Sequence, residues 1–199
     1  MSEKKRIAVL VSGGGTNLQA LIEAQCRGEN PNGEIVLVVA SNPGAYALVR
    51  AELAGIDHMV LSRKELGDGF DDALLGALQE NRIDLVVLAG FLSILGKKVT
   101  DAYARRIINV HPALIPSFCG AGFYGLRVHE AALAYGVKVT GATVHFVNEV
   151  PDGGQIILQK AVDVLPGDTP EILQKRVMEQ AEWKLLPQAV AMWCSGEIR

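Results

Sequence analysis

The sequence predicts an α/β fold: an open, mostly parallel sheet with helices on both faces and an antiparallel extension toward the C-terminal end. Three observations carry that reading. Up to Val110, short continuous apolar runs alternate with stretches of helical periodicity. The runs are polar on neither face, as strands of a parallel sheet covered on both sides must be. The last third changes character, with more strictly alternating runs joined by turn residues, which suits antiparallel strands.

The elements follow in order. Arg6–Val11 (RIAVLV) is a β-branched run that stops at glycines, and Asn17–Arg27 places Leu18, Leu21 and Ile22 at helical spacing. Ile35–Ala40 (IVLVVA) is a second buried strand, and Ala45–Ala54 a helix ended by Gly55. His58–Leu61 is a short third strand. Phe70–Asn81 is helical through Phe70, Ala73, Leu74, Ala77 and Leu78. Leu85–Ala89 and Ile107–Val110 are the fourth and fifth strands. Lys138–Val147 and Gln155–Val164 form the extension around the turn Val150–Gly154 (VPDGG). Thr169–Cys194 reads as one long helix with Pro170 in its first turn, and Pro187 is expected to kink or interrupt it.

Composition bounds the function. A chain of 199 residues is one domain, 1–199, by length, and a hydrophobic fraction of 49% is ample for its core. A net charge of −3 and the lack of a basic tract argue against nucleic-acid binding. Cys26, Cys119 and Cys194 are far apart and form no CxxC pair, so neither a disulfide framework nor a thiolate zinc site is signalled. The scattered histidines show no i,i+4 pair, and no metal is expected. The opening MSEKKRIAVLVSGGG has an apolar run too short for a membrane span and no cleavage pattern. The expectation is a soluble, cytoplasmic chain with reduced thiols.

Ser12–Asn17 (SGGGTN) joins a strand to a helix. Glycines let a backbone approach a ligand closely, and a helix N-terminus offers unpaired N–H groups to an anion. Three successive glycines exceed what a turn needs, so Gly14, Gly15, Thr16 and Asn17 are candidate phosphate contacts. A dinucleotide fingerprint fails: Leu18 stands where its third glycine belongs, and Ser41 and Asn42, not an acid, end the second strand. The Gly-Lys-Ser/Thr of a P-loop is absent. A monophosphate or phosphosugar fits better.

Ile108–Pro116 (INVHPALIP) puts Asn109 and His111 on one face at the carboxyl end of the fifth strand, where open α/β sheets bind ligands. His145 lies in a later strand and Asp152 in the turn beyond it. These types suit acyl transfer: histidine and asparagine can donate to a developing oxyanion, and a carboxylate can take the proton of an attacking amine. Each also has an ordinary reading, with Asn109 as a loop cap, His145 as a satisfied sheet residue and Asp152 as a turn residue.

The segments SGGGTNLQALI, VVLAGFLSIL, INVHPALIPSF and GATVHFVNEVPDGGQII, with the late helix, resemble the folate-dependent phosphoribosylglycinamide formyltransferases over essentially the whole chain. The resemblance implies the Rossmann-like formyltransferase fold and a step of de novo purine biosynthesis. In that step 10-formyltetrahydrofolate gives its formyl group to the amine of glycinamide ribonucleotide. It implies Asn109 and His111 on the formyl oxygen, Asp152 in proton transfer and His145 in support. It also implies the substrate phosphate on the loop at 14–17 and Glu182 at the ribose. Leu88, Gly90, Phe91, Leu92, Ser93, Ile94, Leu95 and Val147 would line the pterin pocket, and Arg63 is the candidate for the folate tail. The partners implied are small molecules, with neither nucleic acid nor membrane, for a monomer or homodimer.

Two departures stand out. Ser93 replaces an arginine common in relatives, and Ser117–Val128 (SFCGAGFYGLRV) is longer than usual, placing Cys119, Phe123 and Tyr124 near the mouth of the site. Three rival readings remain. A formyltetrahydrofolate deformylase would normally carry a second histidine where Pro112 stands. A methionyl-tRNA formyltransferase would need an RNA-contacting extension. A catalytically dead nucleotide-binding module would not need Asn109, His111 and Asp152 together.

Overall fold

The structure is a computed structural model and describes residues 3–198. Strand β1 (Lys5–Val11) passes through the glycine loop into helix α1 (Thr16–Cys26). Strand β2 (Gly33–Ala40), helix α2 (Tyr46–Leu53) and strand β3 (Asp57–Val60) repeat the alternation. Helix α3 (Arg63–Leu66) and a 3-10 turn precede α4 (Phe70–Glu80), β4 (Leu85–Leu88), α5 (Lys97–Ala102) and β5 (Ile107–His111). Then come α6 (Leu126–Tyr135) and the hairpin of β6 (Val139–Phe146) and β7 (Ile156–Asp163). Helix α7 (Pro170–Val177), a π-helical turn (Met178–Glu182) and α8 (Trp183–Ser195) follow.

All seven strands form one sheet in the order β3-β2-β1-β4-β5-β6-β7. The pairs from β3 to β5 are parallel, while β5–β6 and β6–β7 are antiparallel, as the sequence pattern predicts. Successive side chains of a strand point to opposite faces. Ile7, Val9 and Val11 therefore join α1, α2, α7 and α8 in one core, while Ala8 and Leu10 meet Phe70, Leu74 and Leu78 of α4 in a second. Two buried faces explain why β1 shows no polar alternation. Strand order reverses beside β1, between β2 and β4. The loops after β1 and β4 diverge there and open a crevice at the carboxyl edge.

Helices α3, α5 and α6 are additions to the elements read from the sequence, and α3 and α5 are too short to show a period. One expectation needs correction. Pro187 lies inside α8 and does not interrupt it; the irregularity is the π-helical turn just upstream. Proline lacks an N–H and crowds the carbonyl four residues back, here Trp183. The backbone widens immediately before that residue. Among the described residues, no helix is long and apolar enough to cross a membrane.

Candidate active site

The glycine loop is held from α2. The Gly13 carbonyl accepts from Ala47 N–H at 3.1 Å, and the Gly14 carbonyl accepts from Arg50 Nε at 2.8 Å. Because a trans peptide directs its C=O and N–H to opposite sides, the N–H groups of Gly14 and Gly15 face away from α2. Arg50 also donates to Gln19 Oε1 at 2.9 Å and lies over the Tyr46 ring. Gly15 is needed for shape: it caps α1 at φ 71°, and a Cβ there would lie 2.7 Å from that of Ala47. Gly13 and Gly14 border open space. Asn17 turns inward, and its Nδ2 donates to Glu182 Oε2 at 2.8 Å. Burial lifts the Glu182 carboxyl to about 7, partly offset by that donor.

Ser12 ties the two sides of the crevice together. Its hydroxyl accepts from Leu92 N–H at 2.9 Å and from the Ser41 hydroxyl at 2.7 Å, and its carbonyl accepts from Asn42 Nδ2 at 2.8 Å. Ser41 and Asn42, which broke the dinucleotide pattern, thus serve as struts.

Asn109, His111, His145 and Asp152 converge beyond the end of β5. Asn109 and His145 are direct antiparallel partners, which places their side chains on one face. Asp152 sits at φ 55° in the turn after β6 and reaches back between the two rings. Its Oδ1 lies 3.5 Å from His145 Nε2 and its Oδ2 lies 3.6 Å from His111 Nδ1. The turn is possible because Gly154 passes so close to the Phe146 carbonyl that no Cβ would fit.

The hydrogen bonds assign the tautomers. A carbonyl can only accept, so His145 Nδ1–H donates to Phe146 O at 2.8 Å, and Nε2 is left to accept from Asn109 Nδ2 at 3.1 Å. By the same logic His111 Nε2–H donates to Phe118 O at 2.8 Å, which turns its bare Nδ1 toward Asp152. Burial depresses the His111 pKa and outweighs the Asp152 charge that favours protonation. For Asp152, burial opposes ionisation. The neighbouring His145 ring, the Gly120 N–H at 2.8 Å and the nearby His111 ring together outweigh it and hold the carboxyl below its ordinary range.

A cavity of about 460 Å³ opens over this cluster, a size suited to a small ligand. Asn109, His145 and Asp152 reach its wall, as do Leu88, Phe91, Leu92, Ser93, Ile94, Leu95 and Val147. Gly90, at φ 73°, shapes the turn without lining the cavity. His111, only 4% exposed, stands behind Asp152 and off the wall. Arg63 is also off the wall: its guanidinium donates to Asp71 Oδ1 at 2.6 Å and Ile94 O at 2.7 Å, and so braces the lining loop. Phe123 and Tyr124 line the cavity, close to the site as their sequence position predicts, whereas the Cys119 thiol turns away to Pro116 O. Fully buried His129 has no hydrogen-bond partner among the described residues for either ring nitrogen; burial and neighbouring His111 push its pKa down to about 4.

Sequence reasoning missed Ser12, Arg50 and the backbone groups of Phe118 and Gly120. A carbonyl or an N–H leaves no mark in residue type, and Arg50 announces itself only once α2 lies against the glycine loop.

A glycine loop at a sheet switch point, beside an Asn–His–His–Asp cluster at the wall of a cavity, is the arrangement of a group-transfer enzyme. The formyl transferase family pattern matches residues 5–190. The phosphoribosylglycinamide formyltransferase of Haemophilus influenzae is 41% identical over 197 residues, covering 98% of this chain and 90% of that one. The human trifunctional purine biosynthetic protein adenosine-3 is 43% identical over 199 residues, which span 99% of this chain and 19% of that protein. The crystal structure of glycinamide ribonucleotide transformylase 1 from Symbiobacterium toebii superposes with a TM-score of 0.91 at 39% identity, covering 98% of this chain and 90% of that one. The chain belongs to the formyl transferase family.

Proposed function

We propose that this chain, as a single formyltransferase domain, transfers the formyl group of 10-formyltetrahydrofolate to the amine of 5-phosphoribosylglycinamide. The products are N-formylglycinamide ribonucleotide and tetrahydrofolate, within de novo purine biosynthesis. The reading extends to a cytoplasmic enzyme, monomeric or homodimeric, whose partners are these small molecules. The observation that carries it is the convergence of a half-buried carboxylate, two histidines and an amide between the glycine loop after β1 and a cavity. Relatives named for this activity align along nearly the whole chain.

The chemistry follows from the geometry. The phosphorylated amine lies along the crevice, its phosphate on the N–H groups of the loop at 14–17 and its ribose toward Glu182. The apolar wall takes the flat pterin, with backbone groups at 90–95 and Val147 reading its edge. The amine nitrogen attacks the formyl carbon, and negative charge grows on the formyl oxygen. Asn109 Nδ2 is a ready donor there. His111 stands behind Asp152, so a proton gained at its Nδ1 is presented to the carboxylate and steadies Asp152 beside the reacting centre. As the new C–N bond forms the amine must lose a proton, and Asp152, held ionised, receives it directly or through water. Breaking the bond from the formyl carbon to folate nitrogen releases tetrahydrofolate, which takes up that proton.

The test is a turnover assay with 10-formyltetrahydrofolate, with and without glycinamide ribonucleotide. Formyl transfer should require the amine, and Asp152→Asn should lower kcat by about 10²-fold or more while folate still binds. Turnover independent of the amine would mark a hydrolase instead, and an Asp152→Asn variant at parental rate would remove Asp152 from the mechanism.

A further inference from the structure

Phe118 has no reactive group, yet its backbone touches the centre of the site. Its carbonyl accepts the His111 Nε2–H at 2.8 Å, and two residues on the Gly120 N–H donates to Asp152 Oδ2 at 2.8 Å. One short segment therefore grips both side chains. Phe118 does this at φ 49°, a left-handed conformation that bulky residues avoid and that persists only where the surroundings impose it. Its ring supplies that imposition. It meets Phe123 edge-on at 6.5 Å and Tyr135 of α6 edge-on at 6.0 Å, both favourable aromatic geometries.

The consequence for His111 is specific. An imidazole hydrogen-bonded at one nitrogen has the state of the other decided for it. With Nε2–H tied to a carbonyl, the lone pair of the neutral ring is on Nδ1, 3.6 Å from Asp152 Oδ2. Any proton His111 takes up then arrives on the side of the Asp152 carboxylate. Released from Phe118, the ring could hold its proton on either nitrogen or turn about its own axis, and Nδ1 would face Asp152 only part of the time.

We propose that Phe118 is a positioning residue for formyl transfer: its ring, wedged between Phe123 and Tyr135, holds a strained carbonyl on His111 and so fixes the tautomer that presents Nδ1 to Asp152. This rests on the reading of the site given above. The inference accounts for the left-handed Phe118 and for the aromatic pair that secures it.

Phe118→Ala keeps the carbonyl and removes the wedge. Steady-state kinetics of that variant should show kcat down on the order of 10-fold, a fraction of what a positioned acid–base group supplies. KM for both substrates should stay within about twofold, because the contact lies behind the site and not on its wall. Nitrogen-15 NMR of the histidine-labelled protein, without substrates, should show His111 protonated at Nε2 alone in the parent and a mixture of tautomers in the variant. Phe118→Tyr, which preserves the ring, should restore both readouts. If Phe118→Ala does not fold, replacing Cys119 by its α-hydroxy acid converts the Phe118 carbonyl to a weaker ester acceptor without touching any other side chain. The same loss of kcat and the same mixed tautomer are expected. A variant with parental tautomer, or with mixed tautomer and parental kcat, overturns the proposal. A parent protein that transfers no formyl group defeats the functional reading instead, and the two failures occur in different proteins.

Discussion

Glu182 holds two conflicting roles in one side chain. It is buried among helices, yet the proposed ribose contact would ask it to accept hydrogen bonds as an anion. Its carboxyl, lifted by burial to about 7 from an ordinary 4.5, is the result. The folded chain keeps a proton that the unfolded chain releases from about pH 4.5 upward. Stability contributed by the protonated form is therefore complete below about 4.5, falls as pH rises, and is gone above about 7. The full span corresponds to roughly 3 kcal/mol. Glu182→Gln leaves an amide oxygen for Asn17 Nδ2 and removes the ionisation. Urea unfolding of the variant should match the parent near pH 4.5 and exceed its stability at pH 8, while affinity for the phosphorylated substrate drops. Parallel stability–pH curves for the two proteins would mean that Glu182 stays charged in the fold.

The glycine loop shows how one element divides its labour. At Gly15, a side chain would meet both the positive φ and the Ala47 methyl, so Gly15→Ala should cost about 1–3 kcal/mol of stability. At Gly14 the space where a Cβ would go is open. Gly14→Ala should therefore fold with the parental thermal midpoint and raise KM for the phosphorylated substrate, with KM for folate little changed. Thermal melts beside initial rates at varied substrate separate the two cases. Equal KM values in parent and Gly14→Ala would put the phosphate elsewhere. The loop between β5 and α6 divides its labour in a similar way: Phe118 and Gly120 face the reacting groups, and Phe123 and Tyr124 line the cavity.

The crevice exists because the sheet reverses its order beside β1, which separates the glycine loop from the lining loop after β4. Ser12 then sets the distance between them. The segment at 120–124 lines one part of the cavity, and the group being transferred is open to attack by water as well as by the amine. Cover from that segment lowers the water side of that competition. Joint replacement Phe123→Ala with Tyr124→Ala should slow formyl transfer and raise the share of 10-formyltetrahydrofolate hydrolysed without formylated product. Unchanged partitioning, measured as product formed per folate consumed, would reduce the two rings to packing.

Sequence alone determined the strands along the chain and their parallel or antiparallel character, because two buried faces demand continuous apolar runs and one-sided strands demand alternation; their order in the sheet came from the fold. It also marked Asn109, His111 and Asp152 as candidates, since amide, imidazole and carboxylate are chemically distinctive and sit at the ends of readable strands. The register that makes Asn109 face His145 could not be read from composition, because pairing is set between segments some 36 residues apart. Nor could the retreat of His111 behind Asp152, the engagement of Arg63 with Asp71, or the passage of α8 through Pro187. Each depends on which backbone carbonyl or N–H comes to lie nearby, and every residue type carries the same backbone groups. The tertiary structure decided where those identical groups fall, and with them the tautomers and charges of the site.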